Sequence, residues 1–391
     1  MSVKLILTQI MKNESQVIER MLNSIKPIVD GIVLVDTGST DNSIEIVNKW
    51  GKDNGIETHV IERPFDNFQD SRNASIKGAK DIFLNRNDGH TYYGFWLDAD
   101  EVIELDSNFN KQSLNKDLYM FNTYISNSKY TRNELYRLDK PFKFYGVVHE
   151  FIICDDKNIT SGLLDGLKVI VRMDGFSWTE NISKKYLSHA HTLEKYLADD
   201  RSDPRWIFYA AQSYHDSACV KDNKEENDER LRRSIKYYRE RVSIQAGYPE
   251  EIFYSQYRIG TIMRQLEEPW NLTSTELLKS YSFDNLRGEP IKVIIDHYMQ
   301  VGDWNAAYLY SKFAKINFHG KNPYPQRLLF VDEALYVWKF LEAHAAACFY
   351  TQRMEEAKQN FSELKQLSIT QPQYFLPEDL EKIRMNDQFF R

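Results

Sequence analysis

Three carboxylates stand directly behind an apolar run of the chain. Residues 95–97 read Phe-Trp-Leu, and Asp98, Asp100 and Glu101 follow them, with one alanine between the two aspartates. Hard divalent cations such as Mg²⁺ and Mn²⁺ prefer carboxylate oxygens and substrate phosphates as ligands. The pattern therefore predicts a metal seat at the end of a buried strand, with three carboxylates on a solvated turn as the alternative. Glu101 is expected to cap or brace this loop.

Polar residues also end the other predicted strands of the first half. We expect the first strand to end near Thr8, the second at Asp36 and the fourth at Asp98. In a sheet of strand–helix–strand units, ligands bind at the carboxyl ends of the strands, beside the point where the strand order reverses. These three tips are therefore expected to line one crevice. Taken alone, the segment TGSTDNS after Asp36 is equally well explained as a capped turn.

The elements that position these residues alternate along the first half of the chain. The runs VKLILTQI and GIVLVDT are rich in β-branched residues and predict parallel strands buried on both faces, and IETHVIE and GFWLDAD are predicted as the third and fourth strands. Amphipathic stretches between them predict helices, among them ESQVIERMLNSI and FQDSRNASIKGAKDIFL. From about Asp117, strand-like pieces such as GVVHEFII suit antiparallel additions to the sheet. The predicted fold class is α/β, with a Rossmann-like, mixed sheet.

After about Trp178 the pattern is helical to the end of the chain. Small residues at Ala211, Gly260 and Ala345, each three before a larger side chain, favour closely packed helix pairs and come near the tetratricopeptide signature. The charged run KDNKEENDER is expected to be a solvated loop. The sequence thus predicts two domains, residues 1–178 with the sheet and residues 179–391 with helical repeats.

The composition limits the partners and the compartment. A net charge of −7 argues against nucleic acid as a partner, because a nucleic-acid binder needs a basic field. The sequence predicts neither a signal peptide nor a transmembrane segment. The three cysteines are scattered without metal-type spacing, which suits a reducing compartment, so we expect a cytoplasmic protein.

Several motifs taken together resemble one family. They are LTQIMKNESQVIERMLNSIKPIVDGIVLVDTGSTDNSIEI, PFDNFQDSRNASIKGAK, WLDADE and KFYGVVHEF. These segments resemble the nucleotide-sugar domain of family-2 glycosyltransferases, which has the GT-A fold, in the branch that carries tetratricopeptide-like helices behind it. The specific motifs cover residues 1–150, and the remainder is similar only in type. The resemblance implies a metal-dependent, inverting transfer of a sugar from a nucleotide sugar, expected to be a UDP-sugar, to a hydroxyl of a protein, a glycan or another acceptor.

The resemblance assigns the nucleotide pocket by position. The backbone around Thr8 and the side chains of Glu14 and Asp36 match the pocket that holds uracil and ribose. Arg72 matches the basic residue near the base or the diphosphate. Asp98, the first aspartate of the D-x-D motif, is expected to reach the ribose or the metal through water.

The same resemblance places the metal and the catalytic base. Asp100 is expected to ligate Mn²⁺ or Mg²⁺ bound to the diphosphate, and His149 to complete the metal shell. Glu150 is the first candidate for the general base and Asp174 the second. A Glu150 that only forms a salt bridge with an arginine such as Arg172 is the alternative.

Two other interpretations stay open. A sugar nucleotidyltransferase has a similar fold, but it needs a glycine-rich, basic loop after its first strand, where this chain reads TQIMKNES. The other is a catalytically weak scaffold whose helical repeats bind a partner. The helical region is expected to shape acceptor access and to allow a homo-oligomer. Relatives often carry His-x-Gly where this chain has Met-Asp-Gly at residues 173–175, which leaves a second histidine ligand open.

Overall fold

The computed structural model describes residues 2–125, 128–176, 182–323, 326–327 and 329–390. The chain divides into two compact units, residues 1–196 and 197–391, and each is described by itself. The domain boundary predicted at residues 178 and 179 lies outside the described residues, so it stays a prediction.

An eight-stranded mixed sheet forms the centre of the N-terminal unit, with the strand order β3-β2-β1-β4-β7-β6-β10-β5. Its strands are β1 (Val3–Met11), β2 (Gly31–Asp36), β3 (Glu57–Glu62), β4 (Thr91–Phe95), β5 (Glu101–Leu105), β6 (Leu118–Ile125), β7 (Ser128–Arg137) and β10 (Ser161–Val171). The first four are parallel to one another, whereas β7 pairs antiparallel with both β4 and β6. The predicted fold class, an α/β unit with a mixed sheet followed by a helical region, is confirmed.

Apolar side chains cover both faces of this sheet. The helices are α1 (Ile18–Ile25), α2 (Ser43–Asn54) and α3 (Phe68–Phe83). Side chains of α1 and α2 pack with Leu5 and Leu7, whereas side chains of α3 pack with Ile6, because successive strand residues point to opposite faces. Every residue of β2 is therefore buried, as its continuous apolar run predicts.

The strand order reverses beside β1. The chain runs outward from β1 through β2 to β3 and then returns across β1 to form β4 on its other side. The loops that leave the carboxyl ends of β1 and β4 therefore flank the switch point, where ligands bind in open α/β sheets. These two loops are residues 12–17 and residues 96–100.

Two predicted strand ends and one predicted sheet assignment are wrong. The first strand continues past Thr8 to Met11, and the fourth ends at Phe95, so the aspartates lie in the loop that follows it. The segment GVVHEFII does not extend the main sheet. Strands β8 (Phe142–Tyr145) and β9 (Phe151–Cys154) form a separate two-stranded sheet instead. The positive φ angles of Gly146 (118°) and His149 (54°) explain this, because an extended strand cannot continue through them.

The C-terminal unit is built of helices that pack against their neighbours in the sequence. The helix α4 (Ile182–Asp199) crosses the division between the units. The helices that follow are α5 (Pro204–Ser217), α6 (Lys224–Ser243), α7 (Pro249–Gln265), α8 (Trp270–Phe283), α9 (Glu289–Gln300), α10 (Trp304–Phe318), α11 (Phe340–Tyr350), α12 (Met354–Thr370) and α13 (Pro377–Asn386). A Cβ atom on Gly260 would lie 2.6 Å from Leu277 Cδ2, so the expectation that a small residue lets two helices approach there is confirmed.

The loop predicted for KDNKEENDER is wrong over most of its length. The helix α6 begins at Lys224, inside the run, and the Asn223 side chain accepts a hydrogen bond from the backbone N–H of Glu226. Glu225 and Glu226 stand in the first turn, where negative charge stabilises a helix. The Asn223 cap and the negative charges in the first turn thus stabilise a helix although the run is densely charged. The tetratricopeptide assignment stays a prediction, and among the described helices none is long and apolar enough to span a membrane.

Candidate active site

The loop after β1 is fastened to the loop after β2. The Asn13 side-chain oxygen accepts a hydrogen bond from the Thr40 backbone N–H at 2.8 Å, and Asn13 itself has a φ of 56°. The Glu14 backbone N–H donates to the Ser43 hydroxyl at 2.8 Å. These bonds fix the backbone on both sides of Glu14, so the position of its side chain is set by two strand ends together.

Asp36 and Thr8 hold the frame of the site. The Asp36 carboxylate is buried and accepts hydrogen bonds from the backbone N–H groups of Gly38 at 3.0 Å and Ser39 at 2.9 Å. The Thr8 hydroxyl is also buried, donates to the Phe95 carbonyl at 3.1 Å and lies 2.5 Å from the Tyr136 hydroxyl. Asp36 therefore shapes the turn after β2, and the Thr8 side chain joins β1 to β4 within the core.

Glu14 lies among other carboxylates. Burial raises the pKa of the Glu14 carboxyl to about 7, and Asp100, Asp98 and Asp41 add to this rise through their negative charges. The backbone N–H of Phe176 donates to Glu14 Oε2 at 3.1 Å and opposes the rise. Negative charge thus gathers at the switch point, and oxygen donors of this kind fit a hard divalent cation.

Gly175 separates Glu14 from Asp100. A Cβ atom on Gly175 would come to 3.1 Å from Asp100 Cβ and to 3.2 Å from Glu14 Oε2. The loop after β4, residues 96–100, is called the aspartate loop below. The Arg172 backbone N–H donates to the Asp100 carbonyl at 3.0 Å, so the segment that carries Gly175 is anchored to this loop. The absence of a side chain at Gly175 therefore keeps space between the two carboxylate groups.

Arg72 holds the opposite side of the aspartate loop. Its Nη2 atom donates to Asp98 at 2.9 Å and its Nε atom to Glu150 at 2.6 Å, and its side chain is 7 % exposed. The Glu150 side chain is 10 % exposed and the Asp98 side chain 44 %. Burial alone would raise the pKa of Asp98, but the charges of Arg72 and Arg132 reverse this and hold it below its usual value. The arginine predicted to pair with Glu150 is thus Arg72, and the suggestion of Arg172 is wrong.

A second buried arginine supports the same loop. The Arg132 side chain donates to Glu101 at 2.8 Å and also bonds Glu134. Glu101 in turn accepts a hydrogen bond from the Asp98 backbone N–H at 3.0 Å, so its expected role as a brace is confirmed. Burial raises the pKa of Glu134 to about 8 although Arg132 opposes the rise. The Trp96 ring lies between the two arginines, 4.4 Å from the Arg72 guanidinium carbon and 4.5 Å from that of Arg132.

His149 lies in the turn between β8 and β9 rather than at a strand end. Its ring packs edge-on against His189 of α4, with 6.0 Å between the ring centroids. Burial lowers the pKa of His189 to about 4, and the positive charge of Lys185 adds to this. The same Lys185 charge acts on Asp98. The predicted partnership of His149 and Asp100 at a metal stays a prediction.

Asp174 faces a different cation. Its carboxylate forms a two-pronged salt bridge with Arg20, with bonds of 2.5 and 2.8 Å. The Asp174 side chain is 47 % exposed, and the hydrogen bond from Arg20 lowers its pKa. The salt bridge with Arg20 therefore weakens Asp174 as a base in this state of the chain, and Glu150 is paired with Arg72 in the same way.

Sequence reasoning missed five residues around the site: Trp96, Arg132, Glu134, Lys185 and His189. The sequence offers one usable signal for Arg132 and Glu134, because side chains two residues apart on a strand point to the same face. Such a pair on one face of a strand indicates an ion pair. His189 left none, because a histidine on an amphipathic helix has no motif of its own.

Residues 10–145 match the model of the family described as Glycosyl transferase family 2. The N-terminal unit contains a glycosyl transferase family 2 domain. The match includes Glu14, Asp98 and Asp100 and ends just before His149 and Glu150.

Curated relatives share part of their length with this chain. The SPbeta prophage-derived glycosyltransferase SunS of Bacillus subtilis (strain 168) is 24 % identical over 241 residues, which are 59 % of this chain and 53 % of the relative. Glycosyltransferase SunS of Bacillus phage SPbeta gives the same values. The chain thus spans about half the length of the curated relatives it matches.

Solved structures give weaker similarities. S. aureus TarS is 14 % identical, with a TM-score of 0.35 and coverage of 73 % of this chain and 55 % of that one. S. aureus TarS 1-349 in complex with UDP-GlcNAc is 15 % identical, with a TM-score of 0.34 and coverage of 72 % and 92 %. Similarity at this level assigns no ligand to this chain.

Proposed function

We propose that this protein transfers a sugar from a nucleotide sugar, of the UDP class, to a hydroxyl group of a protein, glycan or other acceptor. The observation that carries the proposal is the gathering of Glu14, Asp98 and Asp100 at the switch point of a family 2 domain. The cation that accompanies a nucleotide diphosphate needs such oxygen ligands. A sugar nucleotidyltransferase would instead need a glycine-rich, anion-binding loop after β1.

The same carboxylates would hold the cation. Asp100 would provide an oxygen ligand for Mn²⁺ or Mg²⁺, with His149 as the candidate for a nitrogen ligand. Glu14, which the family resemblance places in the uracil and ribose pocket, is proposed instead as a second oxygen ligand, because it lies among the carboxylates of Asp98 and Asp100. A bound divalent ion supplies positive charge that offsets the charge developing on the diphosphate as it leaves. The raised pKa of Glu14 supports this assignment, because a carboxylate crowded by others gains from a nearby cation.

The nucleotide would lie against the loops that β1 and β2 support. In this proposal Asp36 acts by shaping the turn that receives uracil and ribose, together with the Thr8 backbone and Asp98. Arg72 keeps its predicted place beside the diphosphate. Its Nη1 atom is buried and has no hydrogen-bond partner among the described residues.

Glu150 is proposed as the general base of a single displacement. Its carboxylate would take the proton of the acceptor hydroxyl while that oxygen attacks the anomeric carbon. The bond from the anomeric carbon to the diphosphate oxygen breaks, and UDP leaves with the electron pair, so the anomeric configuration inverts. A positioned base contributes about 10²- to 10⁴-fold in rate. Asp174 is the second candidate, and its pairing with Arg20 lowers its basicity.

The helical region is proposed to receive the acceptor. Stacked helix pairs present extended surfaces that hold long partners, and they also allow self-association. Sedimentation velocity of the purified chain over a range of concentrations measures the second property. A homo-oligomer appears as a sedimentation coefficient that rises with concentration, and a constant value at the monomer position would refute it.

A panel of nucleotide sugars tests the proposed activity. The purified chain is incubated with UDP-, GDP- and dTDP-sugars, with and without Mn²⁺, and release of the nucleoside diphosphate is measured. We expect slow, Mn²⁺-dependent release of UDP from one UDP-sugar and loss of release in Asp100→Asn. If the chain binds UDP but releases a nucleoside diphosphate from no sugar, the scaffold interpretation is favoured. If it neither binds UDP nor releases a nucleoside diphosphate, both the transferase and the scaffold interpretations are contradicted.

The base is tested by a matched pair of variants. Glu150→Gln keeps the shape of the side chain and removes its basicity, so transfer should fall by about 10²- to 10⁴-fold while UDP affinity stays nearly unchanged. Asp174→Asn is the control. Wild-type turnover in Glu150→Gln together with an inactive Asp174→Asn moves the role to Asp174, and a product of retained configuration excludes the single displacement for both.

A further inference from the structure

The C-terminal unit contains a cluster of three different metal-ligating side chains. His344 and Cys348 lie one turn apart on α11, and Glu356 lies on α12. Each contributes one ligand atom, and these atoms lie within 4.8 Å of one another. The His344 Nε2 atom is 3.0 Å from Glu356 Oε1 and 3.6 Å from Cys348 Sγ. His344 and Cys348 are fully buried, and the Glu356 side chain is 33 % exposed.

Ser311 on α10 orients the histidine ring. Its hydroxyl lies 3.2 Å from the Tyr308 carbonyl, to which it donates, and 3.0 Å from His344 Nδ1. A hydroxyl that gives its proton to a carbonyl accepts a hydrogen bond from its other neighbour. With an ion bound, His344 would carry its proton on Nδ1 and present the Nε2 lone pair to the ion, whereas without an ion the hydrogen bond to the Glu356 carboxylate requires the proton on Nε2. A bond from the distal ring nitrogen, here Nδ1, is what fixes the tautomer of a metal-binding histidine.

The Glu356 carboxylate is held in a similar way. Its Oε2 atom accepts a hydrogen bond from the Tyr308 hydroxyl at 3.0 Å, which leaves Oε1 on the side of His344. The nearest cation to Oε1 is Lys312, with its Nζ atom 3.9 Å away, and this amine donates to the Tyr308 hydroxyl at 2.8 Å. Arg353 stacks on the Tyr308 ring at 3.9 Å. Lys312 and Arg353 therefore lie around the tyrosine. Lys315 instead bonds the Asn360 side chain, and its positive charge acts on His344 and Cys348.

The spacing suits a tetrahedral ion. Zinc binds sulfur at about 2.3 Å and nitrogen or oxygen at about 2.0–2.2 Å, so tetrahedral angles place the ligand atoms about 3.4–3.6 Å apart. The 3.6 Å between Cys348 Sγ and His344 Nε2 matches this spacing, and the 3.0 Å between His344 Nε2 and Glu356 Oε1 would have to lengthen by about 0.4 Å to hold an ion. We propose that His344 Nε2, Cys348 Sγ and Glu356 Oε1 form a binding site for a single zinc-class transition-metal ion. A thiolate, an imidazole and a carboxylate favour such an ion over Mg²⁺ or Mn²⁺.

The proposed ion would connect α12 to α11. Water that reaches the partly exposed Glu356 side chain would complete the shell. Because the ligands are brought together only by the folded helices, binding of the ion adds to the stability of the C-terminal unit. The alternative is a hydrogen-bonded His-Glu pair with a neighbouring thiol, and it predicts no affinity for metal.

Cobalt absorption distinguishes the two. The full chain is freed of metal with a chelator and titrated with Co²⁺, which gives a near-ultraviolet thiolate-to-cobalt band and strong visible bands only at a tetrahedral sulfur-containing site. We expect one equivalent to produce these bands, excess Zn²⁺ to abolish them, and Cys348→Ser to lack the thiolate band. Cys219→Ser is the matched control and should keep it. Ions held only by carboxylates at the strand ends give no thiolate band, so the proposed transferase site does not interfere.

A second variant keeps the test valid if Cys348→Ser does not fold. Ser311→Ala removes the hydrogen bond to His344 and leaves all three ligands, so the Zn²⁺ affinity should fall by about 10- to 100-fold. The proposal is overturned if the wild-type chain gives no thiolate band, if Cys348→Ser keeps it, or if Ser311→Ala binds Zn²⁺ as tightly as the wild type.

Discussion

The two sides of the aspartate loop handle negative charge in opposite ways. On one side, Arg72 and Arg132 pair with Asp98, Glu150, Glu101 and Glu134, and the pKa of Asp98 lies below its usual value. On the other side, Glu14 is crowded by carboxylates, and its pKa is raised to about 7. The first side is neutralised by the protein itself. The second is suited to a cation from outside, and this contrast is the physical basis of the proposed site.

The contrast also distinguishes carboxylates that are paired with arginines from carboxylates that are candidate ligands for a cation. Glu101 holds the loop in place, because it bonds the largely buried Arg132 and accepts a hydrogen bond from the Asp98 backbone. Carboxylates that repel one another store unfavourable energy that a ligand can relieve. Each prediction below changes one side and leaves the other intact.

Removal of Arg72 should have the largest effect. Arg72→Met leaves Asp98 and the buried Glu150 without their guanidinium, and breaking a buried pair in this way costs about 3 kcal/mol. The free energy of unfolding, measured by urea denaturation with tryptophan fluorescence, should fall by that amount. Arg86→Met is the control, because the Arg86 pair with Glu57 is largely exposed and contributes less than about 1 kcal/mol. Equal losses in the two variants would mean that Arg72 is not a structural brace.

A methyl group at Gly175 should act on the other side. In Gly175→Ala the new Cβ atom would stand 3.1 Å from Asp100 Cβ and 3.2 Å from Glu14 Oε2, so both carboxylates must move by a few tenths of an ångström. Displacement of residues that support a metal site weakens metal binding by about 10- to 100-fold, and we expect the lower value for Mn²⁺. Urea denaturation should show little change. Wild-type Mn²⁺ affinity in the variant would place the ion away from Gly175.

The pKa of Glu14 predicts how Mn²⁺ affinity depends on pH. Because ligands must be deprotonated, the affinity should rise several-fold from about pH 6 to about pH 8, as the Glu14 carboxyl titrates near 7. In the metal-free chain, Glu14 also makes the free energy of unfolding depend on pH, but in the opposite direction. The folded state binds more protons than the unfolded state between about 4.5 and about 7, so the contribution of Glu14 to stability falls as pH rises through that window. A Glu14→Gln variant that keeps the full pH dependence would contradict the assignment.

Asp174→Asn should have the smallest effect on stability. The pair that it forms with Arg20 is about half exposed on both sides, and such pairs contribute about 0–1 kcal/mol. The thermal midpoint should therefore move by no more than a few degrees, which differential scanning calorimetry can measure. A loss as large as that of Arg72→Met would show that Asp174 also braces the loop.

Much of this arrangement can be predicted from the sequence, and the limits have physical causes. Continuous apolar runs predict β1 and β2, and the rule for ligands at strand ends leads to Thr8, Asp36 and Asp98, whereas Glu14 is assigned only by the family resemblance. The partners of Glu150 cannot be predicted, because Arg72 lies 78 residues away and nothing in its neighbourhood marks it as buried. Asp36 looks like a ligand from its place, yet its oxygens are used by its own turn.

The central claim is that the carboxylate side of the aspartate loop binds a divalent cation together with a nucleotide diphosphate. Titration calorimetry of UDP, with and without Mn²⁺, on the wild type and on Asp100→Asn tests this most directly. The account predicts that Mn²⁺ strengthens UDP binding in the wild type, and that the variant keeps its fold but loses this gain. Equal UDP affinity in both chains, with and without Mn²⁺, would contradict it.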